Sequence, residues 1–164
     1  MREILFRGKR LDNGKWVEGA FCPKNCDSIF GPMVDKPSII KLDKPNDGYW
    51  FDVEPDTVGQ YTGLQDKNGK KIFEGDIFKF PDEIFESYYT SCGTEYNSWE
   101  TKNYAVVGFN EYTGGFDFVR YLCQESSVQA DLHENHELDF CEFVRGLEVI
   151  GNIHDHPELV EVQA

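Results

Sequence analysis

Turn signals cut this chain into short runs. Asn-Gly occurs at Asn13-Gly14 and again at Asn68-Gly69, Gly75 stands between Glu74 and Asp76, and Gly114-Gly115 adds a fourth. Asn-Gly is a strong tight-turn signal, because both central positions of a type I′ turn need positive φ, which glycine adopts without steric cost. Ile4-Leu5-Phe6 and Lys15-Trp16-Val17-Glu18 flank the first turn as two arms of a hairpin. Gln60-Tyr61 and Lys71-Ile72-Phe73 flank the second. Ile77-Phe78-Lys79-Phe80 follows as a strand with Phe78 and Phe80 on one face. Strand character returns at Tyr104–Phe109 and at Phe116-Asp117-Phe118-Val119, on either side of Gly114-Gly115. Many short strands between Gly, Asn and Pro turns, at about 8–12-residue spacing, predict an all-β barrel or sandwich.

Helix is a minor component. Val128 and Leu132 have helical spacing, with Ser126-Ser127 as a cap. Pro157-Glu158-Leu159 suits a first helical turn capped by Asp155 or His156. Leu147, Val149 and Ile153 read as one face of a last strand, with Glu148 and Asn152 on the other. From Pro81 to Asn103 no period is visible, and the stretch reads as a long variable loop, a kind that is often functional or disordered. The whole, residues 1–164, reads as a single domain, with two small β subdomains near 1–63 and 64–164 as the alternative.

Hydrophobic residues make up 40% and aromatics 15%, enough for a real core and against general disorder. No apolar run approaches the roughly 18–20 residues of a membrane helix. The start, Met1–Gly8, becomes charged again too soon for a signal-peptide apolar stretch, so the cytoplasm is the expected place. Thirty Asp and Glu oppose sixteen Lys and Arg, a formal charge of −14. Nucleic-acid binding rests on Lys and Arg neutralising phosphates, so this balance disfavours it. A solvated, solubilising surface is the plain reading of the charge, and attraction to a basic partner, or mimicry of DNA, the sharper one.

Candidate ligand sets exist but remain open. Asp66, Glu74 and Asp76 border Gly-containing turns and are of the right type for Ca²⁺ or Mg²⁺, but lack the Asp-x-Asp-x-Asp-Gly spacing, so capping of turn backbone is favoured. His133, His136, His154 and His156 offer four imidazoles. Cys22 and Cys26 have half-site spacing, with no second cysteine pair of similar spacing beside them. Free thiols are the default in the cytosol, and Cys141, between Phe140 and Phe143, reads as a small core residue. Neither a Gly-x-Ser-x-Gly elbow nor a phosphate-cradling Gly-rich loop appears. No catalytic, cofactor-binding or metal residue is assigned.

Three segments, Arg2–Val17, Thr57–Ile77 and Glu148–Leu159, together resemble the YopX family, in that family's order. Thr57-Val58-Gly59-Gln60-Tyr61-Thr62-Gly63-Leu64-Gln65-Asp66-Lys67-Asn68-Gly69-Lys70-Lys71-Ile72-Phe73-Glu74-Gly75-Asp76-Ile77 is the most specific of them. The resemblance implies a phage- or prophage-encoded, largely β protein with no agreed activity, and a helix-cap role at His156, where such proteins commonly carry Asn. The expected function is a non-enzymatic binding or assembly module whose partner is a host or phage protein, with self-association as a further expectation. The aromatics Phe85, Tyr88, Tyr89, Tyr96, Trp99, Tyr104 and Tyr112 serve either an interface or the core. The alternatives are a metal-dependent enzyme acting on nucleic acid or nucleotides, and an acidic DNA mimic or nucleic-acid binder.

Overall fold

The structure, a computed structural model, describes residues 3–23, 36–44, 47–121, 127–128, 132 and 139–160. The chain divides into two compact units, Met1–Gly63 and Leu64–Ala164. Both are built on antiparallel sheets whose strand orders are open, so neither closes into a barrel. No helix among the described residues is long and apolar enough to cross a membrane.

The first unit holds β1 (Phe6–Lys9), β2 (Trp16–Cys22), β3 (Ser38–Lys44), β4 (Asp47–Asp52) and the start of β5 (Gly59–Gln65). Their order is β4-β3-β2-β1-β5. β2 alternates, with Val17 and Gly19 buried and Glu18 and Ala20 exposed, as a half-buried strand should. Val17, Ile39 and Val53 form the core, with Phe6, Phe21, Phe51 and Val58 packed against it. The first hairpin is as the sequence predicts, pairing Phe6 with Gly19 and Lys9 with Trp16. Its loop is longer than a two-residue turn. Arg10 N–H donates to Lys15 O and Gly14 N–H to Arg10 O, each at 2.9 Å, and Gly14 carries a φ of 67°. Cys22 is disulfide-bonded, to a partner outside the described residues, which corrects the free-thiol expectation at that position. Pairing of thiols follows from how the fold places them, and compartment supplies only a prior.

The second unit adds β6 (Lys71–Phe73), β7 (Asp76–Thr90), β8 (Gly93–Asn110), β9 (Gly115–Tyr121), the helix α1 (Phe140–Arg145) and β10 (Val149–Asn152). β6 lies beside the end of β5, and the main sheet runs β10-β7-β8-β9. The Asp66–Lys70 hairpin loop has three central residues, closed by Asp66 N–H to Lys70 O, with Gly69 N–H returning to Asp66 O. Gly69 has a φ of 79°, the left-handed residue that ends such a loop. Phe118 is the hub of the core. Its ring lies 5.1 to 6.3 Å from those of Phe78, Phe80, Tyr121, Phe140 and Phe143, four of these contacts being edge-on.

Several details depart from the sequence reading. Residues 81–103 are the outer parts of β7 and β8, paired rung by rung from Ile77 with Val106 to Thr90 with Gly93, and are no loop. Tyr89 and Ser98 on one face and Asn97 and Trp99 on the other are all exposed, so burial imposes no apolar alternation on them and no period was visible. α1 went unread, although Asp139 caps it by accepting Glu142 N–H at 2.9 Å. Phe140 and Phe143 turn inward from α1 at helical spacing, so Cys141 between them is exposed, with a free thiol. In β10 the register shifts between Val149 and Gly151, and Val149 and Ile153 consequently pack in different apolar clusters. Ser127, Val128 and Leu132 are helical, as the Val128–Leu132 spacing predicts, and the last two are buried; Ser126 lies outside the described residues.

Candidate functional site

β7 and β8 are 15 and 18 residues long, far longer than the strands beside them. β10 pairs with β7 only at Asp76–Phe78, and β9 with β8 only at Ala105–Asn110. Outward from the rung of Lys79 and Tyr104, the two arms pair with each other alone among the described residues. The result is a two-stranded ribbon of twelve rungs, ending at the Ser91-Cys92 tip.

A buried polar cluster fixes its base. Asp82 is 6% exposed and its carboxylate gathers four donors. Oδ1 accepts from Glu83 N–H at 2.8 Å, from the Ser127 hydroxyl at 3.0 Å and from Val128 N–H at 3.3 Å. Oδ2 accepts from Asn103 Nδ2 at 2.8 Å. Asn103 is fully buried, and its own Oδ1 accepts Tyr104 N–H at 2.8 Å. A buried carboxylate is tolerable only when its oxygens are this well supplied. Charge from Asp117 and Asp82 adds to the effect of burial on Tyr121, whose phenol is held well above its usual range and so stays neutral.

On the face opposite Asp82, the register leads to a like-charged rung. Lys79 faces Tyr104, with its Nζ 5.1 Å from the ring centre, and Pro81 faces Lys102. The next rung on that face is Glu83 opposite Glu100. Residues directly opposite on one face have Cβ atoms about 4.5–5.5 Å apart, and like charges there are destabilising. Neither glutamate has an ion pair among the described residues. These rungs, with Asp82, Thr101 and Ser127, line an open groove of about 830 Å³.

The aromatics of the ribbon divide. Tyr89 is 90% exposed and Trp99 46%, so both present ring surface to solvent. Tyr104 is half-buried at the base, and Tyr112 is fully exposed in the turn after β8. Phe85, Tyr88 and Tyr96 lie on the strands, with side chains outside the described residues.

Two of the candidate carboxylates, Asp66 and Asp76, hold turn backbone. Asp66 Oδ1 accepts Asn68 N–H at 2.8 Å and Lys70 N–H at 2.9 Å, and Oδ2 accepts Val149 N–H at 3.1 Å. Asp76 Oδ2 accepts Phe73 N–H at 2.8 Å across the next turn. Burial works to raise the Asp66 pKa, but the three N–H groups and the nearby Lys70 charge outweigh it and hold the carboxyl below its usual range. These two aspartates are engaged by their own turns, as backbone capping requires. His154 and His156 flank a turn capped by Asn152, whose Oδ1 accepts His154 and Asp155 N–H, each at 3.0 Å, while its Nδ2 donates to Asp155. His156 occupies the position before the Pro157–Leu159 turn but makes no side-chain cap. Its ring instead packs on Gly151, where a Cβ would approach Nδ1 to 2.7 Å. Among the described residues no three of His, Cys, Asp and Glu gather as metal donors. Cys26, His133 and His136 lie outside the described residues.

Similarity to known proteins spans nearly the whole chain. The family model described as YopX protein matches residues 5–161. The crystal structure of protein EF1440 from Enterococcus faecalis is similar at 23% identity, covering 98% of this chain and 100% of that one with a TM-score of 0.44. Among curated proteins none matches.

Proposed function

The chain belongs to the YopX family, and from that premise we propose that it is a phage- or prophage-encoded binding or assembly module, non-enzymatic, acting in the bacterial cytoplasm through its β7–β8 ribbon. The supporting observation is the ribbon itself. A lone pair of strands is marginally stable in water, because half its backbone groups pair with nothing in the sheet and little apolar surface is buried. Here such a pair extends well past its neighbours and is anchored at the base by the Asp82 cluster. It presents Tyr89 and Trp99, residue types that supply large contact area at low entropic cost. An element that adds little to the core and exposes ring surface and strand edges suits a partner.

Trimming tests this. Replacing Glu83–Glu100 by Asn-Gly keeps every rung from the base to Asp82 and Thr101, and removes the outer ribbon with Tyr89 and Trp99. The trimmed protein should melt within a few degrees of the natural one. Tagged forms of both, expressed in the natural host, should differ in what co-purifies, with the partner lost on trimming. Retention of the same partner by the trimmed protein overturns the ribbon as the binding element.

A further inference from the structure

We propose that the partner segment is basic and extended, adding as a strand along the ribbon, with Lys or Arg side chains seated between Glu83 and Glu100. The inference rests on the ribbon reading above and narrows it to one chemistry. Three observations carry it. Glu83 and Glu100 face each other on one rung without an ion pair among the described residues, which costs stability in the free protein. A guanidinium or ammonium placed between them relieves that repulsion, and a guanidinium forks to carboxylate oxygens with matched geometry. Next, the ribbon from Lys79 to Tyr104 carries Asp82, Glu83, Glu86, Glu95 and Glu100 against Lys79 and Lys102, so a basic segment meets a field of net opposite sign. Finally, β7 over 83–90 and β8 over 96–102 have no third strand beside them among the described residues, and an open edge is what an added strand uses.

Other occupants fit less well. A second copy brings the same carboxylates to the same edge, and edge charge is a common device against self-pairing. Nucleic acid brings phosphates to an acidic ribbon on a chain of net charge −14.

The probe is a capped decapeptide of five Arg-Val repeats, with a Glu-Val decapeptide and a single-stranded DNA of ten thymidines as controls. Binding is followed by calorimetry at 0.15 M salt, and contact by amide hydrogen exchange. The Arg-Val peptide should bind and slow exchange along one arm of the ribbon. Glu83→Gln/Glu100→Gln should weaken it about tenfold without lowering the melting temperature, since a repulsion is removed. Glu54→Gln/Asp56→Asn, an exposed acidic pair in the first unit, should change binding less than about twofold at this salt. Failure of the Arg-Val peptide to bind, equal binding of the Glu-Val peptide or the DNA, or an equal loss in the Glu54/Asp56 variant overturns the proposal. So does a dimer that already protects the ribbon without peptide. Peptide binding that is lost on trimming yet unmoved by Glu83→Gln/Glu100→Gln overturns the charge seat while leaving the ribbon reading intact. Partner capture unmoved by trimming overturns that reading itself.

Discussion

Asn103 Nδ2 donates to Asp82 Oδ2 at 2.8 Å, tying the two arms of the ribbon diagonally between rungs two apart on one face. Both groups are buried, so the bond sits where its loss leaves a carboxylate oxygen short of a donor. Asn103→Ala should therefore destabilise the protein by about 1–3 kcal/mol. The denaturant midpoint should fall with an unchanged slope, and exchange at 82–84 should quicken more than at 77–78. A midpoint equal to that of the natural protein would show that the bond contributes nothing net.

Asp66 makes the second unit acid-sensitive. Its folded pKa is depressed, because three backbone N–H groups and Lys70 outweigh the burial that raises it. A depressed carboxyl contributes stability that is present in full above the unfolded value of about 4 and is lost as pH falls through the folded one. Asp66→Asn should cost about 1–3 kcal/mol at neutral pH. The melting temperatures of variant and natural protein should converge between pH 4 and more acid conditions. A gap that stays constant down to the lowest pH would mean that the carboxylate charge is not what holds the turn.

Legibility from sequence followed the local or non-local origin of each feature. The hairpins at Gly14 and Gly69 were readable because a left-handed residue constrains the chain at one position. Phe78 and Phe80 were readable because the sheet faces a core there, and burial writes alternation into a strand. The outer ribbon left no such trace, since Tyr89, Asn97, Ser98 and Trp99 face water whichever side they take. α1 is six residues long, too short for a helical period to register. The Glu83–Glu100 rung and the Asp82–Asn103 bond join residues 17 to 21 positions apart, and only the strand register brings them together.

Gly69 is a direct test of the turn that carries the family's most specific segment. Its φ of 79° lies in the left-handed region, and nothing stands within 4 Å of where a Cβ would be. Space is therefore no obstacle, and the penalty for another residue comes from backbone strain alone. Gly69→Val should cost about 1–3 kcal/mol, while Gly69→Asn should cost clearly less, because Asn tolerates this region. Equal melting temperatures for the two variants would remove strain as the explanation.

The ribbon should unfold from its tip. At its base, β7 and β8 are flanked by β10 and β9, and Ile77, Phe78, Phe80, Ala105, Val106 and Val107 are buried. At Asp82 and Asn103 the flanking strands have ended, but the buried cluster still joins the arms. From Glu83 and Glu100 outward there is no third strand among the described residues, and described side chains from Ser87 and from Glu100 to the tip are mostly exposed. Opening free energies should fall along that sequence, since each step removes buried contacts but keeps the same cross-strand hydrogen bonds. Native-state hydrogen exchange should be slow at 76–80 and 104–109, intermediate at 81–84 and 99–103, and fast at 88–95. Asn103→Ala should move the intermediate zone into the fast class and leave the slow one in place. Uniform protection from base to tip would mean that a surface covers the ribbon in the free protein, and the site would then be occupied before any partner arrives. Fast exchange beginning at 81 would mean that the Asp82 cluster does not anchor the arms, and the ribbon could not present Glu83 and Glu100 on a fixed rung.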